Sequence, residues 1–131
     1  MRPHLTMCVV AALSLTACGN GRTTAPSQVA LSFSKAVAGG DGQSACALIA
    51  PQTRHDLESS QGKPCAQSVL EQQLPVSHTV TRAEQYGDEA QVVLDKDVTF
   101  VAHFSIGWRV VAAGCTDRGK DLPYDCTVKG G

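Results

Sequence analysis

The sequence predicts an α+β domain in which N-terminal helices pack on an antiparallel β-meander. Three observations predict it. Ahead of Pro75, apolar residues recur at helical spacing, as Val29, Phe33, Ala36 and Val37 do. Behind Pro75 the spacing drops to two and β-branched residues dominate. Four cysteines, Cys46, Cys65, Cys115 and Cys126, stand as one neighbouring pair in each half.

Composition sets the frame. The chain has 131 residues, 43% hydrophobic, 18% charged and 5% aromatic, with a formal net charge of −1. That is one domain of ordinary soluble composition. No basic or acidic block is present to attract nucleic acid, so no nucleic-acid partner is expected.

The first element is an address. Arg2 gives a positive start, and Leu5 to Leu15 is an apolar run. That run is too short for a bilayer span of about 20 residues and suits a secretory signal. Leu15-Thr16-Ala17-Cys18 resembles the lipobox of bacterial lipoproteins. The resemblance implies cleavage after Ala17, acylation of the Cys18 thiol and a membrane-anchored mature chain. Residues 1–17 are then signal peptide, 18–26 a flexible tether rich in Gly and Thr, and 27–131 a single α+β domain. Removing residues 1–17 takes Arg2 away and leaves 10 Lys and Arg against 12 Asp and Glu. Such a balance attracts anionic lipid little, so the covalent anchor must hold the chain at the membrane.

An even set of four cysteines in an exported domain predicts two disulfides, with three pairings open. Pairing neighbours, Cys46–Cys65 and Cys115–Cys126, keeps each bond within one local segment and is the pairing preferred. No two cysteines lie two to four residues apart, as a zinc site asks, so no metal is expected.

The domain elements follow in order. Pro26-Ser27 opens a helix, with Ser27 or Thr24 as its cap, and Gly39-Gly40 stops it. Ala45 to Ala50 is a short buried helix. Pro51 starts a third at its first position, running to about Ser59. Cys65 to Leu74 is a fourth. Then Val76 to Thr81 reads as a strand, followed by a turn at Tyr86 to Glu89. Ala90 to Leu94, Val98 to Phe104 and Trp108 to Ala113 alternate and are joined by short turns, which makes a meander. The face Val98/Phe100/Ala102/Phe104 is expected to meet Val29, Phe33 and Val37 of the first helix.

Two phrases carry a family resemblance. They are Ala45-Cys46-Ala47-Leu48-Ile49-Ala50-Pro51-Gln52-Thr53-Arg54, and Gly107 to Cys115 followed by Pro123-Tyr124-Asp125-Cys126. Together they resemble small actinobacterial lipoproteins. The order of helices and meander is similar to the nuclear transport factor 2-like (SnoaL-like, cystatin-like) fold. That resemblance implies a curved sheet wrapping a long helix into a cone with a mouth, in a group that includes both enzymes and binding proteins.

Candidate chemistry is sparse. His103 shares a strand face with Thr99 and Val101, and a pocket histidine there suits proton transfer near neutral pH. Asp95 and Asp97 flank a turn. His55 and Glu58 share a helix face but lack a third ligand. His78 is isolated. No G-x-S-x-G elbow and no phosphate-binding glycine motif occurs. Trp108 is expected in the core, and Tyr124 is expected to pack the C-terminal tail on the sheet. The expected function is a lipoprotein on the outer face of the cell membrane, a non-enzymatic module for a small apolar ligand or an envelope protein. The alternative is an isomerase or hydratase using His103. No cofactor is expected.

Overall fold

The computed structural model describes residues 21–130. The signal peptide and Cys18 expected from sequence lie outside those residues. Four helices come first: α1 (Gly21–Ala38), α2 (Gly42–Ala47), α3 (Pro51–Gln61) and α4 (Cys65–Leu70). Five strands follow: β1 (Val80–Tyr86), β2 (Glu89–Leu94), β3 (Val98–Phe104), β4 (Gly107–Thr116) and β5 (Asp125–Lys129). They form one antiparallel sheet in the order β1-β2-β3-β4-β5. The chain is α+β, helices first and meander second.

Helix α1 begins at Gly21, five residues ahead of Pro26, so residues 21–25, expected in the tether, are helical. Pro26 cannot donate a backbone bond in the second turn, a cost in any helix. Its ring is among the fully buried side chains, and that packing compensates. Asp41 caps α2 by accepting from the Ser44 N–H at 3.0 Å. Pro51 opens α3 and Gly62, at φ 65°, closes it in the left-handed region. Glu58 of α3 accepts from the Cys65 N–H at 3.1 Å, which ties the end of α3 to the start of α4. The Cys46–Cys65 disulfide joins α2 to α4. The two helices meet backbone to backbone: a Cβ on Gly42 would stand 2.0 Å from the Ala66 carbonyl oxygen. Helix α4 is shorter than expected, ending at Leu70 rather than Leu74.

Segment 76–79 is not a strand, contrary to expectation, because side chains claim its backbone. Ser77 donates its N–H to Ser34 Oγ at 3.0 Å, and Ser34 Oγ donates to the Ser77 carbonyl at 3.2 Å. The N–H groups of His78 and Thr79 both go to Asp95 Oδ1. The first strand starts only at Val80.

The helices cover one sheet face. Ala30 and Phe33 of α1 join Ile49, Leu57, Val69, Val92, Val101 and Val110 in the core. On β3 the buried residues are Thr99 and Val101, while Val98, Phe100, Ala102 and Phe104 are half-buried on the opposite face. The expected inward face is therefore the outward one. Both parities of Val98-Thr99-Phe100-Val101-Ala102-His103-Phe104 carry apolar residues. The choice was made by the partners: Thr99 and Val101 stand opposite Val92 and Ala90, whose side chains are buried. Tyr124 covers part of the outer face, its ring edge-on to Phe100 at 5.2 Å.

A bulge on β4 places Val111 between the pairs Phe100–Ala112 and Val101–Val110. The freed Val111 carbonyl accepts from Thr53 Oγ1 of α3 at 3.1 Å and from the Gly130 N–H at 3.2 Å. Beside it, Val110 bonds Leu48 and Ala50, a short parallel bridge that seals β4 where β5 has ended. Strand β5, read from sequence only as a tail, pairs with β4 and is held by the Cys115–Cys126 disulfide between directly opposed residues.

Candidate functional site

His103 lies at the end of β3, beyond the cover of the helices. It is exposed, with its ring edge-on to Trp108 at 5.3 Å and its backbone N–H donated to the Asp88 carbonyl at 2.7 Å. It does share a face with Thr99 and Val101, as expected, but that face is packed core rather than a pocket. No carboxylate bonds its ring among the described residues. The geometry that proton transfer requires, an enclosed base beside a partner, is not assembled there.

The two turn carboxylates are structural clamps. Asp95 holds the N–H groups of His78 and Thr79, and these bonds keep its carboxyl below the usual range. Asp97 reaches across to β4 and accepts from the N–H of Gly114 at 3.0 Å and of Cys115 at 3.1 Å, as well as from its neighbour Val98 at 2.8 Å. Burial pushes the Asp97 carboxyl up, against the lowering effect of those donors. Gly114 sits at φ +64°, where a Cβ would meet Leu74 at 2.8 Å. Only glycine lets the chain turn there and offer its N–H to Asp97.

On α3, His55 approaches Asp56 at 3.4 Å, whereas Glu58 pairs with Arg54 and the Cys65 N–H. His55 and Glu58, which share a helix face, thus engage different partners. Among the described residues no group of three or more His, Cys, Asp or Glu stands close enough to hold a metal.

The space between α1 and the sheet is filled by Ala30, Phe33, Val92 and Val101, each 2% exposed or less. Among the described residues this layer is packed rather than open. Openings lie instead at the rim. One is a groove of about 500 Å³ between the first half of α1 and the edge strand β1. Leu31, Val80 and Ala83 give it apolar surface; Thr23, Ser27 and Gln28 give it hydroxyl and amide groups; Arg82 gives it a cation. Arg82 ion-pairs with Glu84 Oε1 at 3.6 Å, and the other Glu84 oxygen accepts from the Tyr86 hydroxyl. A second opening of about 210 Å³ lies between α3 and β5, with Asp56 and Lys129 on its rim.

Sequence reasoning missed the groove. Its helical wall lies partly in the stretch read as tether, and Arg82 lies in a stretch read as neither strand nor turn. The available signal was Leu31, an apolar residue off the Val29/Phe33/Ala36/Val37 stripe, which packs at the margin of the core and lines the groove.

Comparison with protein-family models, with curated proteins and with solved structures finds no match.

Proposed function

We propose that this chain is an extracytoplasmic lipoprotein, anchored to the cell membrane by acylated Cys18, that serves as a non-enzymatic binding or accessory module. The observation that carries the reading is Leu15-Thr16-Ala17-Cys18 at the end of an apolar run behind Arg2. The pairing of all four remaining domain cysteines supports it, since disulfides persist in oxidising compartments. Kinship with small actinobacterial lipoproteins of nuclear transport factor 2-like fold is part of the same reading, supported by the order of helices and meander. The filled interior favours recognition at the surface, by a rim groove or by the half-buried outer sheet face, over an enclosed apolar ligand.

Cell fractionation of the wild-type chain and Cys18→Ser tests it. The wild type is expected in the membrane fraction with two intact disulfides, and the variant in the soluble extracytoplasmic fraction. A Cys18→Ser chain that stays membrane-bound, or a wild-type chain free in the cytosol with reduced thiols, overturns the proposal.

A further inference from the structure

We infer that the groove between α1 and β1 seats the headgroup of an anionic glycerophospholipid drawn from the bilayer that anchors the chain. The inference rests on the anchoring at Cys18 proposed above and adds a site and a ligand class to it.

Position is the first argument. Helix α1 begins at Gly21, so only a few peptide units separate it from Cys18. A chain spans at most about 3.6 Å per residue, which holds Gly21 within about 11 Å of an acylated Cys18. Thr23 and Ser27, on the groove wall, are in the first two turns of that same helix. Covalent length therefore holds the near end of the groove, at Thr23, within about 14 Å of the anchor.

Lining is the second argument. A phosphodiester asks for a cation and hydrogen-bond donors, and the glycerol carbons beside it ask for a small apolar surface. Arg82 supplies the cation; its side chain is 61% exposed, and it ion-pairs with Glu84 through Nε at 3.6 Å, which leaves the terminal nitrogens of the guanidinium for a phosphodiester. Thr23, Ser27 and Gln28 add hydroxyl and amide donors, and Leu31 and Val80 add the apolar surface.

Charge is the third. The mature chain is net negative, yet α1 carries no acidic residue. The membrane-proximal element thus departs from the rest of the molecule in the direction an anionic surface favours. A single headgroup contact is weak in free solution. Tethering beside the bilayer raises the effective lipid concentration to the millimolar range and fills such a site.

The test uses the acylated full-length chain in detergent, titrated calorimetrically with dihexanoyl phosphatidylglycerol, dihexanoyl phosphatidylcholine and inorganic phosphate. Saturable binding of the phosphatidylglycerol, with the other two at least tenfold weaker, is expected. Arg82→Glu removes the cation, and Gln28→Trp, an exposed helix position, blocks the opening. Each is expected to weaken binding roughly tenfold or more while leaving the unfolding temperature without lipid unchanged. Equal binding of phosphatidylcholine or of phosphate alone, no binding, or binding indifferent to both variants overturns the inference. The mass of the same preparation reads acylation separately. Headgroup binding by a chain with unmodified Cys18 overturns the anchor and leaves the groove assigned. Lost selectivity on an acylated chain overturns the groove alone.

Discussion

At the residue scale, one carboxylate ties the β2–β3 turn to β4. Asp97 binds the β2–β3 turn to the β4 backbone beside the Cys115–Cys126 bond. Removing its oxygens leaves partly buried N–H groups of Gly114 and Cys115 without acceptors. Asp97→Ala is therefore expected to lower stability by about 1–3 kcal/mol, read as a lower urea midpoint with an unchanged slope. Asp97→Asn, which keeps one acceptor oxygen, should lose less. Equal midpoints for wild type and Asp97→Ala would mean the clamp contributes nothing. This role was not legible from the sequence, where Asp95 and Asp97 read as turn carboxylates. Their partners lie 16 to 18 residues away, and no local pattern marks a side chain that bonds across a sheet.

At the element scale, legibility followed apolar periodicity. The strands β2 and β3 stood out because they are dense in β-branched and aromatic residues between short turns, although their two parities did not show which face is inward, and α3 stood out because Pro51 marks its start. The edge strands were not legible. β1 is exposed or half-buried along its whole length, so Arg82 to Gln85 carries no period-two apolar signal. β5 has five residues, only Val128 of them buried. Its register is fixed by Cys115 opposite Cys126, information held by a partner strand across a loop. A prediction follows for that strand. β5 has one sheet neighbour, so replacing both Cys115 and Cys126 with Ala should free it preferentially. The expected cost is about 3 kcal/mol in the loop-closure picture. Amide exchange should accelerate in β5 before β2 and β3; uniform acceleration across the sheet would assign the bond a global role instead. The groove was illegible for a different reason, since it forms only where the start of α1 passes an edge strand that the sequence did not reveal.

At the scale of the whole molecule, acid should lower the stability of the domain. Hydrogen bonds from Ser44, from Cys65 and Arg54, from Lys63, and from Thr79 and His78 hold Asp41, Glu58, Glu71 and Asp95 below their ordinary values. A carboxylate depressed in the folded state contributes stability above its unfolded pKa, about 3.8 for Asp and 4.5 for Glu, and loses it as pH falls through the folded value. Asp97 is raised, so it acts in the opposite sense: the folded state holds its proton more tightly, and its contribution grows on acidification. Urea midpoints measured from pH 7 to pH 3 should therefore fall below about pH 4.5, and fall more steeply in Asp97→Asn, which lacks the opposing titration. A midpoint that rises on acidification would contradict this. The early start of α1 has one more consequence under the proposed anchoring. A body fastened so close to its lipid can sweep hardly beyond its own width, so it meets neighbours by gliding within the leaflet rather than by reaching through the envelope. Encounter then becomes a two-dimensional search, and the natural companions of such a molecule are those embedded in, or brushing, the same sheet of lipid.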